Sequence, residues 1–354
     1  MINKYLVCQT KDVVIDVLKK INLNKKRFCA VLEGKKFVGL VSDGDIRRGL
    51  LKKFSVDDKV IKFVNKKVIK SSIEKINKKI LDKLKLNNTR YLPILDDNKN
   101  LKKILFLNFE NNPPTENSNQ QLKKKNVTVL IMAGGFGKRL KYLTKNKPKA
   151  LVKINDKSLI ENLIIKLSNE GFKEIFISVF YKRDQIIKKI GSGKKFGVNV
   201  NYLIEKKPLG TAGSLFLLKN KKSINNSIFV LNCDLYTTVN FGSILDYHES
   251  HNSLATMCGK EIVVKHDFGV INNQYDEISD IVEKPSQKFF FNAGIYVFKK
   301  KILNLFKSRN NHLDMDVLFK KIIKQKYKPR IFPIFENWED CGTLEKIKRI
   351  KSNV

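Results

Sequence analysis

The stretch that decides the fold reads Val129-Leu130-Ile131-Met132-Ala133-Gly134-Gly135-Phe136-Gly137-Lys138-Arg139-Leu140 and is followed by Lys147-Pro148-Lys149-Ala150-Leu151. Its apolar first half predicts a buried strand, and its glycines predict a turn that leads into the start of a helix. Glycines let the backbone approach a polyphosphate closely, and free N–H groups at a helix start can bind it. Arg139 and Lys149 add cations beside that turn. The stretch therefore predicts a phosphate-binding turn at the carboxyl end of a strand.

The glycine turn differs from two common phosphate-binding loops, the Walker A loop and the dinucleotide Gly-x-Gly-x-x-Gly loop. It closely resembles the signature of the sugar-1-phosphate nucleotidyltransferases, Gly-Gly-x-Gly-x-Arg-Leu-x-Pro-Leu-Thr-x-x-x-Pro-Lys-Pro. Tyr142 and Ala150 replace two prolines of that signature, and neither replacement removes a charged group. With the motifs described below, the resemblance covers about residues 127–345.

Length and charge limit the classes of protein to which this chain can belong. Its 354 residues are enough for two domains. The formal net charge of +36 would suit a nucleic-acid-binding protein, but the lysines are spread along the whole chain. No recognition helix, RNP motif or zinc finger appears in the sequence. We therefore expect solvated surface lysines and no specific nucleic-acid partner.

From the sequence we expect neither a membrane span nor a secretion signal. No apolar run approaches the roughly 18 residues of a membrane span, and the first residues lack the apolar core and cleavage site of a signal peptide. The five cysteines are scattered and form no CxxC pair. Such cysteines are typical of a reducing compartment, so we expect a cytoplasmic protein without a membrane span.

A polar, proline-opened segment at 111–126 predicts a linker between a first domain, 1–110, and a second, 127–354. The first domain repeats the order helix, strand, turn, strand and resembles a pair of CBS motifs, which implies an α+β regulatory domain. In that family the residues at the positions of Ser42 and Asp45 bind adenine nucleotides. Helix capping by the same two side chains is an equal alternative. The second copy lacks the Ser-x-x-Asp pattern.

The second domain alternates strand-like runs, at 127–132, 175–179, 198–203, 228–231 and 295–298, with helical stretches such as 159–169 and 183–190. This alternation predicts a doubly wound α/β sheet with its ligands outside the carboxyl ends of the strands. The family resemblance implies a mixed, Rossmann-like sheet of the glycosyltransferase-A type.

Further motifs match the same family in the same order, and the resemblance implies their roles. Glu205 would accept hydrogen bonds from the nucleotide base. Glu283 would bind sugar hydroxyls and Lys284 the sugar phosphate. Asp234 and Asp340 would share one Mg²⁺, for which two carboxylates plus phosphate oxygens suffice. The remaining implied residues are Ala133, Gly134, Gly135, Gly137, Gly210 and Thr211 for the nucleotide, and Asn292 and Gly294 for the sugar pocket.

The implied reaction joins a sugar 1-phosphate to the α-phosphorus of a nucleoside triphosphate and releases pyrophosphate. Arg139 and the backbone of residues 134–137 would hold the leaving pyrophosphate, and Lys149 the attacking phosphate. A phosphate monoester is already ionised near neutral pH, so the reaction needs no general base. The catalytic residues are thus Arg139, Lys149 and Asp234, and the expected cofactor is Mg²⁺.

The residues leave alternatives open for the base of the nucleotide and for the activity of the protein. Glu205, as a paired acceptor, suits the N1–H and N2–H₂ donors of guanine, so GTP and a hexose or hexosamine 1-phosphate are expected, in surface-glycan precursor synthesis. UTP, CTP and dTTP stay open, as does a catalytically inactive nucleotide sensor. We also expect a homo-oligomer, with an adenine nucleotide at the first domain.

Overall fold

The computed structural model describes residues 3–24, 26–52, 54–86, 89, 91–107, 126–219, 221, 224–305 and 312–352. The chain separates into two compact units, Met1–Gln121 and Leu122–Val354. Apart from residue 126, the segment predicted as a linker lies outside the described residues. The proposed domain limits stay predictions.

The first unit contains the helices and strands that the internal repeat predicts. The sequence pattern predicts a helix at Ile46–Leu51 and strands at 29–32 and 37–41. The structure has the helix at Asp43–Leu50, and each strand is one residue longer at both ends. In chain order the elements are β1 (Val7–Gln9), α1 (Val14–Asn24), β2 (Phe28–Glu33), β3 (Lys36–Ser42), α2 (Asp43–Leu50), α3 (Lys78–Leu86), β4 (Tyr91–Leu95) and β5 (Leu101–Phe106). Strands β1 to β3 form one sheet, and β4 and β5 form a separate antiparallel pair.

Ser42 and Asp45 form the cap of helix α2. The Ser42 hydroxyl accepts a hydrogen bond from the Asp45 N–H at 3.1 Å, and the Asp45 carboxylate accepts one from the Ser42 N–H at 2.9 Å. Arg48 also binds Asp45, with 2.5 Å between Nη2 and Oδ1. This capping box accounts for both side chains without a ligand. Adenine-nucleotide binding at this helix stays a prediction, as does the CBS nature of the first unit.

The strands of the second unit are β6 (Thr128–Met132), β7 (Lys153–Ile154), β8 (Lys157–Ser158), β9 (Glu174–Val179), β10 (Asn199–Ile204), β11 (Ser227–Asn232), β12 (Leu235–Thr237), β13 (Ala255–Lys265), β14 (Val270–Gln274), β15 (Glu277–Val282), β16 (Ser286–Lys299), β17 (Arg330–Ile334) and β18 (Trp338–Asp340). Seven of them form a mixed sheet in the order β10-β9-β6-β11-β16-β13-β17. Strands β10, β9, β6 and β11 are parallel neighbours, and β16 runs antiparallel between β11 and β13. The helices are α4 (Leu159–Asn169), α5 (Arg183–Ile190), α6 (Ser214–Leu218), α7 (Phe241–Ser250), α8 (Met315–Lys324) and α9 (Leu344–Ser352).

Helices cover both faces of this sheet, as the sequence predicts for a doubly wound fold. On β6, Val129 and Ile131 face a core shared with α4, α5 and α7. Leu130, between them, faces a second core formed with α6 and α8. Successive side chains of a strand point to opposite faces, so a continuous apolar run is needed where both faces are buried. The mixed α/β fold is confirmed.

The glycine turn leads into a helix, as the sequence predicts. This helix, Lys138–Thr144, is of the 3₁₀ type. Gly137 has φ +67°, and its carbonyl accepts a hydrogen bond from the Thr144 hydroxyl at 3.0 Å. This bond connects the two ends of the segment 137–144.

Candidate active site

Two parallel neighbouring strands, β6 and β11, deliver the glycine turn and Asp234 to one edge of the sheet. Met132 and Asn232 are partners in the last register position of this pair. The chain leaves both strands directly after these residues, so residues 134–137 and Asp234 emerge side by side. This is the edge at which open α/β sheets bind their ligands.

A second pairing brings Asp340 to Asp234. Strands β12 and β18 are antiparallel, with Leu235 opposite Asp340, and the Cys341 N–H donates to the Asp234 carbonyl at 2.9 Å. The two aspartates that the sequence places in different motifs are therefore neighbours. Gly342 leaves room for the Asp340 carboxylate, because a Cβ there would lie 2.9 Å from one of its oxygens.

Lys149 lies against both aspartates. Its ammonium forms an ion pair with Asp234 and lies 3.7 Å from Asp340 Oδ1, with all three side chains largely buried. Burial lowers the pKa of Lys149, but the Asp234 carboxylate more than offsets this, so that the pKa of Lys149 is raised overall. Burial raises the pKa of Asp234, and Lys149 opposes that shift. The pair is held together because each partner compensates a charge that would otherwise be buried alone.

The donor set at this edge fits a magnesium ion that also binds substrate oxygens. Asp340 Oδ1 is buried and has no hydrogen-bond partner within the part of the chain that the structure describes. Asp340 Oδ2 lies 3.6 Å from Lys346 Nζ. The described residues contain no group of three or more side chains that could hold a metal unaided. Mg²⁺ needs only one or two carboxylates when phosphates and waters complete its shell.

A cavity of about 430 Å³ opens beside this cluster and contains most of the predicted nucleotide residues. Gly137 leaves no room for a side chain, because a Cβ there would lie 2.9 Å from the Lys149 Cβ, while a Cβ on Gly134 would lie 3.0 Å from Glu205 Oε1. Arg139 is exposed at the wall of the cavity. The predicted residues on its lining are Gly134, Gly135, Gly137, Arg139, Lys149, Glu205, Gly210, Thr211 and Asp234.

Glu205 is more buried than a loop carboxylate would be. It is 7% exposed, and it accepts hydrogen bonds from the Ser178 hydroxyl at 2.5 Å and from the Leu209 N–H at 3.2 Å. These bonds fix the carboxylate on the cavity wall, beside Gly134. Each oxygen retains a second lone-pair direction, so contact with a base edge stays a prediction.

Thr211 is held by a residue that the sequence analysis does not single out. Asp314 Oδ1 accepts from the Thr211 N–H at 3.0 Å, and the Thr211 hydroxyl accepts from the Met315 N–H at 2.8 Å. Gly210 has φ +80°, and a Cβ there would meet the Leu313 carbonyl at 2.6 Å. His312, one of four histidines that form no metal motif, also lines the cavity. No sequence spacing points to Asp314 or His312, since both come from a distant segment.

The residues predicted for the sugar separate into two groups. Gly294 has φ +69° and packs against Asn232 on the cavity wall, while the Asn292 side chain accepts from the Gly294 N–H at 3.0 Å. Glu283 and Lys284 are exposed on the segment between β15 and β16 and are absent from the lining of the described cavity. Their sugar-binding role stays a prediction.

Ala133 and two cysteines lie in the core beside the site. Ala133 is buried in the core, and its N–H donates to the Ser178 carbonyl at 2.9 Å, so it anchors the strand end. Cys233 and Cys341 adjoin the two aspartates, and burial raises the pKa of each thiol to about 12. Such a shift favours the neutral thiol over the thiolate, which is the nucleophilic form of cysteine.

Comparison with known families gives the class of protein to which this α/β fold and its strand-end cluster belong. The model of the nucleotidyl transferase family matches residues 128–354, so the chain belongs to that family. No helix among the described residues has the length and apolar character needed to cross a bilayer.

Several known proteins resemble the second unit. The mannose-1-phosphate guanyltransferase of Pichia angusta is 33% identical over 220 residues, and that of Saccharomyces cerevisiae is 30% identical over 220 residues. Each match covers 60% of this chain and 60% of the relative, so the chain spans well under two thirds of these relatives' length.

Solved structures share the fold of the second unit. HddC from Yersinia pseudotuberculosis is 26% identical, with a TM-score of 0.50, and the match covers 64% of this chain and 99% of that one. A structure from Bacillus anthracis is 24% identical, with a TM-score of 0.52, and the match covers 64% of this chain and 94% of that one.

Proposed function

We propose that this protein transfers a nucleotidyl group from GTP to a hexose or hexosamine 1-phosphate, forming a GDP-sugar and pyrophosphate. The observation that carries the proposal is the cluster of Asp234, Lys149 and Asp340 beside a glycine turn in one cavity. The similarity to guanyltransferases supports the choice of GTP. Surface-glycan precursor synthesis is the corresponding proposed role.

The proposed reaction is an in-line displacement at the α-phosphorus. A sugar-phosphate oxygen forms a new bond to phosphorus, and the bond to the β-phosphate oxygen breaks with release of pyrophosphate. Because the attacking phosphate is already ionised, catalysis consists of positioning and charge neutralisation. The backbone N–H groups of residues 134–137 and the Arg139 guanidinium would hold the leaving pyrophosphate.

Lys149 would bind the attacking phosphate of the sugar 1-phosphate. Its ammonium lies between two carboxylates, which keep it protonated and in place before substrate arrives. Asp234 and Asp340 would hold Mg²⁺, whose chemistry when bound is to neutralise charge on phosphate oxygens. Glu205, Gly210 and Thr211, which line the same cavity, would enclose the base of the nucleotide.

The test is a panel of the full chain with GTP, UTP, CTP or dTTP against mannose, glucose and N-acetylglucosamine 1-phosphates, with pyrophosphate release measured. GTP with one of these sugars is expected to react fastest. Faster turnover with another nucleotide overturns the base assignment, and no turnover with any pair overturns the activity.

Glu205→Gln tests base recognition separately. An amide replaces one acceptor oxygen by a donor, so we expect the preference for GTP over UTP to fall about tenfold or more. Glu74→Gln, an exposed change in the first unit, is the matched control. An unchanged preference in a variant with an unchanged melting profile would show that Glu205 only holds the cavity wall.

A further inference from the structure

Three neighbouring strand ends place aromatic side chains beside Glu205. Strands β10, β9 and β6 are adjacent and parallel, so the chain leaves all three at the same edge of the sheet. Glu205 directly follows β10, and its N–H donates to the carbonyl of Val179, the last residue of β9, at 3.0 Å. Phe180 and Tyr181 come next along the chain. Phe136 belongs to the glycine turn that follows β6, so three separate segments meet at this point.

The Phe136 ring packs on two aromatic side chains and also lines the cavity. Its centroid lies 5.7 Å from that of Phe180, with an angle of 81° between the ring planes, and 5.4 Å from that of Tyr181. Aromatic pairs prefer such distances and such an edge-to-face arrangement. Phe136 is also 41% exposed and lies on the wall of the 430 Å³ cavity. Its neighbours therefore hold the ring in place, while part of its surface stays accessible from the cavity.

Gly134 adjoins both the Glu205 carboxylate and this aromatic cluster. A Cβ on Gly134 would lie 3.0 Å from Glu205 Oε1 and 3.4 Å from the Phe180 Cβ. A Cβ on Gly135 would meet no atom of the described residues within 4 Å, so the space beside the turn is open. A flat base whose edge meets Glu205 can therefore lie along the turn and reach the Phe136 ring, because neither glycine has a side chain that would intervene.

An accessible aromatic ring beside a hydrogen-bond acceptor suits a heterocyclic base. Every nucleobase has a flat π-face that stacks on aromatic side chains, and the two fused rings of a purine offer more contact than the single ring of a pyrimidine. The triphosphate and the sugar have no such face. The alternative role of Phe136 is to support the turn through Phe180 and Tyr181, and the ring would then affect phosphate binding as much as base binding.

We propose that Phe136 stacks on the face of the nucleotide base whose edge Glu205 binds, and that it thereby favours purine over pyrimidine nucleotides. This assignment rests on the proposed nucleotidyl transfer and adds a specificity-determining residue to the same cavity. The two side chains would divide the recognition of the base. Glu205 reads the hydrogen-bond donors of its edge, and Phe136 reads the size of its face.

The first test compares ligands with and without a base. Calorimetry on the full chain, without sugar phosphate, gives the dissociation constants of GTP, UTP and inorganic pyrophosphate. Phe136→Ala should raise the dissociation constant of GTP about tenfold, raise that of UTP less, and leave that of pyrophosphate unchanged. Tyr327→Ala is the matched control, because Tyr327 is 40% exposed and is absent from the cavity lining. It should bind all three ligands like the wild type.

Phe136→Leu separates stacking from packing. Leucine keeps an apolar contact with Phe180 and Tyr181 but has no flat face. It should therefore weaken GTP binding nearly as much as alanine does, with a thermal melt like that of the wild type. Unchanged GTP affinity in Phe136→Ala overturns the proposal. Equal weakening of GTP and pyrophosphate in either variant also overturns it, because Phe136 would then only support the phosphate-binding turn.

Phe136→Trp supplies a signal that does not depend on affinity. Guanine quenches the fluorescence of an indole ring on which it stacks, and the wild type gives the background of Trp338, the single tryptophan of the chain. GTP should quench the introduced indole and pyrophosphate should not, whereas GTP binding without quenching contradicts the stacking. A wild type that binds no nucleotide overturns the proposed function as well. Wild-type turnover of GTP combined with unchanged GTP binding in Phe136→Ala overturns only the role of Phe136.

Discussion

Replacing Asp234 by asparagine tests the strand-end cluster most directly. The amide keeps the size of the side chain but removes the charge that pairs with Lys149 and the oxygen proposed to bind Mg²⁺. Breaking a buried ion pair commonly costs about 3–5 kcal/mol, because one charge is left uncompensated. Here Asp340 Oδ1 lies 3.7 Å from the same ammonium and takes over part of that compensation. We therefore expect a smaller loss of about 1–3 kcal/mol in the free energy of unfolding.

The loss of kcat in Asp234→Asn should be much larger than partial unfolding of the variant could cause. Removing one electrostatic contact to a developing charge costs about 10²–10³ in kcat, and losing a metal ligand should cost at least as much. The assay is pyrophosphate release at saturating Mg²⁺ and substrates, with a thermal melt of the same sample. Asp184→Asn is the matched control, because that side chain is 93% exposed and should change neither quantity. Near wild-type kcat in folded Asp234→Asn would refute the role of this carboxylate.

Three other substitutions test separate parts of the chain. Gly294→Ala should lower activity and stability more than Gly191→Ala. Both glycines have positive φ, but only a Cβ on Gly294 would lie 2.5 Å from an Asn232 side-chain atom. Thermal melts and turnover rates of the two variants measure the difference. Burial lowers the pKa of His248 to about 4, so between pH 6.5 and 4 the unfolded chain binds more protons and stability falls with falling pH. In denaturant unfolding, the wild type should therefore lose about 3 kcal/mol in the free energy of unfolding between pH 6.5 and 4, and His248→Gln should not show this loss. Ser42→Ala should cost about 1 kcal/mol as a lost helix cap and abolish AMP binding in calorimetry; unchanged AMP binding contradicts the nucleotide role.

Local sequence patterns predict much of the second unit. Helices α4 and α5 have the limits that their apolar period indicates, because Ser158 and Glu161 cap the first and Gly191 ends the second. The strand before the glycine turn is also predicted from the sequence, because a short apolar run followed by glycines is typical of a buried strand that ends in a turn. These signals are local, so they depend little on the rest of the chain.

The details of the site depend on contacts between distant segments. Lys149 and Asp234 are 85 positions apart, and Thr211 and Asp314 are 103 apart, so no local pattern predicts either pair. The burial of Glu205 could not be predicted from the sequence either, because burial depends on which elements pack alongside. The sequence alone therefore determined the strand and helix pattern, the glycine turn and the kinds of charged residue available to the site. Only the tertiary structure decided which of them meet, because through-space pairing and burial arise from the packing of the whole unit.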